Sequence, residues 1–354
     1  PIPYRRHFTK STSGAGIISP NPAADARADR RLFCPYDGRS DSTETMALNC
    51  EFTTLPGEGL LHISGPDTLG FLQGQTTCDT RRLDESTAIP GAYCTPQGRV
   101  VCDFLLLQLG QEHVGLRMRS DILDASAATF SKYIVFSKAE IDPEPGDWQV
   151  AACWGQDASE VIAALCGSAP GKPFGVAAAN GLRAVQLDDD GQLFECYLDP
   201  SVSAQIPAEL AALQSEGGEA RWRARQIAAG IGRIEEATIE AFIPQMLNFD
   251  ITGHISFDKG CYTGQEVIAR LHYRGKSKRR MYLATLEHDA EAGAELYAST
   301  SGQSVGSVVN CAPMSGGFSA LVVATADGAG AGLHLASQDG PPLSLGELPY
   351  PVEA

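Results

Sequence analysis

Cys261 lies in the run Phe257-Asp258-Lys259-Gly260-Cys261-Tyr262-Thr263-Gly264-Gln265-Glu266, which carries the densest chemistry in the chain. Thr263 and Glu266 have the spacing of a capping box and predict a helix starting there. Val267, Ile268 and Leu271 give that helix one apolar side. Cys261 would precede the cap by two residues, where unpaired N–H groups and the helix dipole favour negative charge. Lys259 adds a cation nearby, and a thiol so placed tends towards thiolate. Gly260 and Gly264 let the backbone turn tightly around it. Two readings follow: a reactive thiol, or a small buried hydrophobe.

Three further features could do chemistry. Residues 100–109 read as a strand in which Val101, Asp103, Leu105 and Leu107 share a face. An acid on an apolar face needs a partner or a task, so Asp103 is either a hydrogen-bonded core residue or a ligand contact. Trp222 lies among Arg221, Arg223 and Arg225 on a helix over residues 221–230 that glycine ends. It is either core or a flat ring beside cations. From Arg270 to Arg280, six of eleven residues are Lys or Arg and none is acidic, with Arg270, Arg274 and Lys276 leading the run. Such a run is a solvated loop or a contact for phosphates or an acidic tail.

The elements that must position these groups follow from periodicity and breakers. Residues 60–63 read as a strand, then a Pro-containing turn and a helix that stops near Gly74. Residues 91–99 give a strand and turn ahead of the Asp103 strand. A helix over 121–132 leads through Tyr133-Ile134-Val135-Phe136 into a further strand. The cluster Asp142 to Asp147 marks a domain joint. Beyond it come a strand (149–153), a helix (158–165), strands 182–187 and 194–198 with Asp188-Asp189-Asp190-Gly191 as their hairpin turn, and a helix over 204–213. From Met281 the chain is strand-rich, with the turns of a small barrel or sandwich.

Length and charge narrow the class. At 354 residues the chain suggests two or three domains, and 43% hydrophobic content is ample for packed cores. A net charge of −16 argues against a general nucleic-acid surface. The ten cysteines form no Cys-x-x-Cys or Cys/His cluster, so no metal ligand set is visible, and free thiols in a reducing cytoplasm are the expectation. No apolar run reaches membrane-spanning length. Residues 1–45, rich in Arg, Ser, Pro, Asp and Gly, read as a flexible leader before a globular segment opening at Met46, and the leader is expected to reflect an over-long start assignment.

The run Lys259-Gly260-Cys261-Tyr262-Thr263-Gly264-Gln265-Glu266 resembles the signature of the YgfZ family, folate-binding proteins similar in fold to the glycine-cleavage T-protein, an aminomethyltransferase. Phe242-Ile243-Pro244-Gln245, Ile255-Ser256-Phe257 and Phe71 to Asp79 resemble that family too, and the likeness extends from about Leu60 to Tyr350. It implies an α+β, aminomethyltransferase-like folate-binding fold: two mixed sheet-and-helix subdomains around a central opening, plus a carboxy-terminal β-barrel. The subdomains expected are 46–145 with 221–280, discontinuous and carrying the signature; 146–220; and the barrel, 281–354. The resemblance implies tetrahydrofolate, or another reduced folate, held by Trp222, Asp103 and Arg225, with Cys261 as the catalytic group. True aminomethyltransferases carry two adjacent aspartates where this chain has Cys102-Asp103. A second family Trp has no counterpart between Asn49 and Thr54.

The resemblance therefore implies a folate-binding protein that supports iron–sulfur enzymes or cluster-assembly proteins, tRNA-modifying enzymes among the clients, with indirect or weak tRNA contact and no membrane. Two alternatives stand beside it: a folate-dependent one-carbon transferase of the T-protein type, and a tRNA-binding module using Arg270 to Arg280.

Overall fold

A computed structural model describes residues 48–142 and 146–352; the predicted leader lies outside them. The first strands among the described residues are β1 (Glu51–Thr54) and β2 (Glu58–Ser64), and a turn through Pro66 opens α1 (Thr68–Gln75). β3 (Ile89–Cys94) and β4 (Val100–Gly110) follow, then β5 (His113–Arg119), α2 (Leu123–Ile134) and β6 (Glu140–Ile141). These strands, without β1, form an antiparallel five-stranded sheet in the order β3-β4-β5-β2-β6. A bulge opposite Tyr93 and Cys94 takes Val101 out of register. Alternation therefore restarts after it, and Val101 packs on the opposite side from Leu105 and Leu107.

The second sheet uses β7 (Gln149–Trp154), β8 (Val176–Ala179), β9 (Leu182–Gln186) and β10 (Leu193–Leu198), with α3 (Ala158–Cys166) after β7. Its order is β1-β7-β10-β9-β8. The first strand thus departs from the expected 46–145 subdomain. β1 pairs along β7, Phe52 opposite Cys153, because Phe52 completes the apolar cluster under α3. Of two further expectations, one holds in shortened form and one fails. Tyr133 and Ile134 end α2, Val135 and Phe136 are exposed at a turn, and the strand they lead into is the two-residue β6. The helix expected over 204–213 is replaced by two short ones, α4 (Pro200–Ser203) and α5 (Ala208–Ala211), because Pro207 interrupts it.

α6 (Gly218–Ala228) and α7 (Gln265–Arg274) precede the last unit. That unit comprises β11 (Arg279–Leu286), β12 (Glu295–Ala298), β13 (Ser304–Met314), β14 (Gly317–Thr325), α8 (Ala326–Ala331), β15 (Leu333–Leu335) and β16 (Pro342–Gly346). Its strands close into a barrel in the order β11-β14-β13-β12-β15-β16, β16 returning to β11. Closure removes the open edges such short strands would otherwise expose.

Apolar burial is layered. One layer lies between the two sheets: Leu60, Leu105 and Leu107 meet Val150, Trp154, Val185 and Trp222. A second covers the other side of the first sheet with α1, α2, the segment before α7, and barrel residues Val309 and Leu321. β4 is sandwiched between these layers, which is why ten consecutive residues show almost no polar alternation. The architecture is α+β, with two antiparallel sheets that helices accompany and a closed barrel, as the resemblance implied.

Candidate functional site

A cavity of ≈ 640 Å³ opens between the sheets, within the range that takes a small organic ligand. Pro90, Phe104 and Leu105 form the wall from the first sheet; Phe174, Leu187 and Leu193 come from the second. The backbone after α6 and Tyr350 supply another side. Gly230 is required there: its φ is +69°, and a Cβ would lie 2.6 Å from the Tyr350 ring, whose hydroxyl donates to the Gly230 carbonyl at 2.8 Å. His254 lines the cavity with its ring stacked on Phe249, centroids 4.1 Å apart. Burial, with Arg117 and Arg233 acting the same way against Asp103, lowers its pKa to about 4, so the imidazole is neutral at physiological pH.

Behind this apolar surface lies a buried ionic network. The Arg233 Nε donates to Asp103 Oδ2 at 2.6 Å, and its two Nη atoms donate to the Glu58 carboxylate at 3.2 and 3.0 Å. The Ile234 N–H donates to Asp103 Oδ1 at 2.6 Å. Burial would raise the Asp103 pKa, but Arg233 and the Ile234 N–H outweigh it and hold the carboxyl below the ordinary value. Asn310 on the barrel clasps the Arg233 backbone, accepting from its N–H at 2.8 Å and donating to its carbonyl at 3.0 Å. Arg117, on β5, lies with its Nε 2.7 Å from Glu195 Oε2 and its Nη1 3.8 Å from Glu58. Neither contact is a well-directed hydrogen bond, so Arg117 lines the cavity as a buried ion-pair partner of Glu195 whose Nε and Nη1 are not otherwise satisfied. Glu195 instead accepts from the Tyr197 hydroxyl at 2.6 Å.

The signature follows directly on the cavity segment, residues 251–254, but its local structure differs from the capping box. Gly264, at φ +83°, is the N-cap of α7, and no side chain caps the helix. The left-handed turn sends Thr263 towards Gln75, to whose Oε1 it donates at 3.3 Å. Gln265 Oε1 accepts from the Tyr262 N–H at 3.3 Å. Glu266 and Gly260 are exposed. Lys259 does not serve Cys261: it is buried, donating to the carbonyls of Thr76 and Cys78 at 2.6 Å each and sitting 5.0 Å from the Tyr262 ring centre. Burial lowers its pKa to about 8. Cys261 itself is exposed, unlike the other described cysteines, and is absent from the cavity lining.

One strip joins cavity and signature. Thr77 Oγ1 donates to the His254 carbonyl at 2.6 Å, and the Ser256 N–H donates to the Thr77 carbonyl at 2.9 Å. Lys259 grips the residues on either side of Thr77. The strip 76–78 is therefore fastened to both.

Of the predicted ligand residues, the structure places Asp103 on the cavity wall and the other two elsewhere. Trp222 is 1% exposed, packed in the inter-sheet layer against Trp154 at 5.8 Å. It points inward because α6 turns this face, with Gln226 one turn on, towards the second sheet. Arg225, three residues on at the edge of that face, is exposed and off the cavity. Arg270, Arg274 and Lys276 are exposed; at the end of the run, Arg280 pairs with Asp250 at 2.7 Å. On the same helix His272 stacks on Phe257, centroids 3.6 Å apart, with Tyr273 66% exposed beside them. Arg117, Arg233, Glu58, Glu195 and His254 were missed. The available signal was charge interrupting apolar strands, as Arg117 does in β5.

Comparison with solved structures finds the same fold in the glycine cleavage system aminomethyltransferase T from Bartonella henselae, which superposes with a TM-score of 0.68 over 85% of this chain and 86% of that one, at 16% identity. The likeness at that identity is one of fold. Sequence relatives are narrower. The tRNA-modifying protein YgfZ of Klebsiella pneumoniae (strain 342) is 30% identical over 266 residues, 75% of this chain and 80% of its own length. Its counterpart in Pectobacterium carotovorum subsp. carotovorum (strain PC1) is 33% identical over 218 residues, 62% of this chain and 65% of that protein, just under two thirds. No family model matches the chain. The chain belongs to the family of the tRNA-modifying protein YgfZ.

Proposed function

We propose that the cavity binds a reduced folate and that the protein, through Cys261, supports the assembly or repair of iron–sulfur enzymes, tRNA-modifying ones included. The observation that carries the folate part is the pairing of a ≈ 640 Å³ aromatic-walled cavity with Arg117, a buried cation in its wall whose Nε and Nη1 are ion-paired to Glu195 and Glu58 but make no well-directed hydrogen bond. A pteridine has flat apolar faces and carbonyl and ring-nitrogen acceptors at its edge. Phe104, Phe174 and the His254–Phe249 stack fit the faces; the Arg117 nitrogens fit an acceptor. Asp103 fits less directly, since both its oxygens already accept hydrogen bonds, so its part is to hold Arg233 in the wall. Tetrahydrofolate, when bound, supplies nitrogens that carry one-carbon units.

Cys261 is exposed on the loop that the 76–78 strip ties to the cavity wall, a place where a partner protein can reach it. The nine described cysteines are free, which suits a reducing cytoplasm, and among the described residues no helix is long and apolar enough to cross a membrane. Against a T-protein-type transferase stand the occupied Asp103 and its neighbour Cys102, a thiol that burial pushes up to about 12: neither offers a free base. Direct tRNA contact has one observation in its favour, the Phe257–His272–Tyr273 cluster beside Arg270 and Arg274, which could stack a base and meet phosphate. A steep loss of RNA binding with salt would support it.

Titration with 5-formyltetrahydrofolate, a reduced folate that survives in air, tests the reading. Wild type should bind. Arg117→Lys should weaken binding roughly tenfold, as expected for losing one charge-assisted bond. Trp222→Phe should leave affinity unchanged. Absence of binding, or loss only in Trp222→Phe, would refute the site. In cells lacking the protein, Cys261→Ala should fold and bind folate yet fail to restore iron–sulfur enzyme activity.

A further inference from the structure

We propose that the cavity mouth selects folates by the charge of their tail, favouring monoglutamyl over polyglutamyl forms. This rests on the folate reading and concerns the rim. Among the described residues lining the cavity, the exposed charges are Asp189 and Asp190, at the tip of the β9–β10 hairpin. The hairpin is held in shape by Asp188, whose carboxylate accepts from the N–H groups of Gln192 and Leu193 at 3.0–3.1 Å. The cations of the lining, Arg117 and Arg233, are buried and already face Glu195, Glu58 and Asp103. The remaining exposed liners, Ile251, Gly253 and Pro349, carry no charge.

A cavity of this size takes one ligand of drug-like dimensions, so a lengthened tail must run out past the rim. Each added γ-linked glutamate brings one more carboxylate. A pair of like unit charges about 10 Å apart in water changes an equilibrium roughly twofold. Several tail carboxylates against two fixed aspartates therefore make a measurable difference at low salt, and screening removes it as the Debye length falls to about 3 Å near 1 M. The head of the ligand is unaffected, because the buried Arg117 that would meet it is screened little.

The experiment is a titration of the full chain with 5-formyltetrahydrofolate as the monoglutamate and as the pentaglutamate, at low and at high salt, for wild type, Asp189→Asn/Asp190→Asn and Asp189→Lys/Asp190→Lys. Both positions are exposed on a hairpin tip, so the variants should fold. Expected for wild type is a pentaglutamate several-fold weaker than the monoglutamate at low salt, with convergence at high salt. The double Asn variant should lose the difference and the double Lys variant reverse it. Equal affinities in wild type at low salt, or a difference that survives the Asn substitutions, would overturn the inference while leaving folate binding intact. Failure of both ligands to bind would overturn the folate reading and this inference with it.

Discussion

Replacing Asp103 by Asn separates the two roles an acid on β4 could have. In the structure the carboxylate faces Arg233 at 2.6 Å and the Ile234 N–H at 2.6 Å, and it is almost wholly buried. Breaking a buried ion pair costs about 3–5 kcal/mol when the surviving charge is left alone. Here Arg233 keeps Glu58 at 3.0 and 3.2 Å, so the lower end, about 3 kcal/mol, is expected. At about 2.1 cal/mol/K of unfolding entropy per residue, that is a fall in Tm of about 4 °C for a chain of this length. The pH dependence gives an independent check. Asp103 has its folded pKa depressed below the ordinary 3.8. Its stabilisation is therefore fully present above the unfolded value and is lost as pH falls through the lower folded value. Thermal and urea melts of wild type and Asp103→Asn should differ by a constant amount from neutral pH down to about pH 5, then converge below about pH 4. An unchanged Tm near neutral pH, coupled with lost folate affinity, would show that the carboxylate is a ligand group and refute its role as a strut.

Two glycines of the signature should behave oppositely. Gly264→Ala places a Cβ 2.5 Å from the Thr95 carbonyl at φ +83°, and should cost more than about 1 kcal/mol in a urea melt; Gly260→Ala meets nothing within 4 Å and should stay within about 0.5 kcal/mol. Lys259 has its folded pKa lowered to about 8 by burial, against an ordinary 10.5. The folded state thus releases its proton first, and the stability of wild type relative to Lys259→Met should rise between about pH 8 and 10.5 and be flat below; a fall in that window would contradict the buried placement. Iodoacetamide should label Cys261 ahead of the other described thiols, and Cys261→Ser should shift stability by less than about 0.5 kcal/mol, because the side chain is exposed; preferential labelling of Cys166 or Cys311 in the folded protein would count against it.

The chain by itself determined what depends on neighbours in sequence. Apolar runs located β4 and β10; Gly230 marked the end of α6; Asp188 to Gly191 announced a hairpin; and the eight-residue run around Cys261 pointed to the family that the Klebsiella and Pectobacterium relatives support. Residues acting over long separations were beyond it. Arg233 meets Asp103 across 130 positions and Glu58 across 175, and no periodicity records a partner so far away. Local rules also lost where tertiary contacts outbid them. Thr263 and Glu266 have capping-box spacing, yet Gly264 packs against Thr95 and turns the chain left-handed before Thr263 can cap. Trp222 stands among arginines in sequence, but the packing of α6 puts Trp222 into the layer between two sheets and leaves Arg225, at the edge of the same face, to solvent. Lys259 is adjacent to the Cys261 loop in sequence, but its flexible four-carbon stem carries the ammonium to the carbonyls of Thr76 and Cys78. Local sequence sets which elements form and which face is apolar; only the packing of the sheets decides which charges are brought together and which side chains are left to meet a ligand.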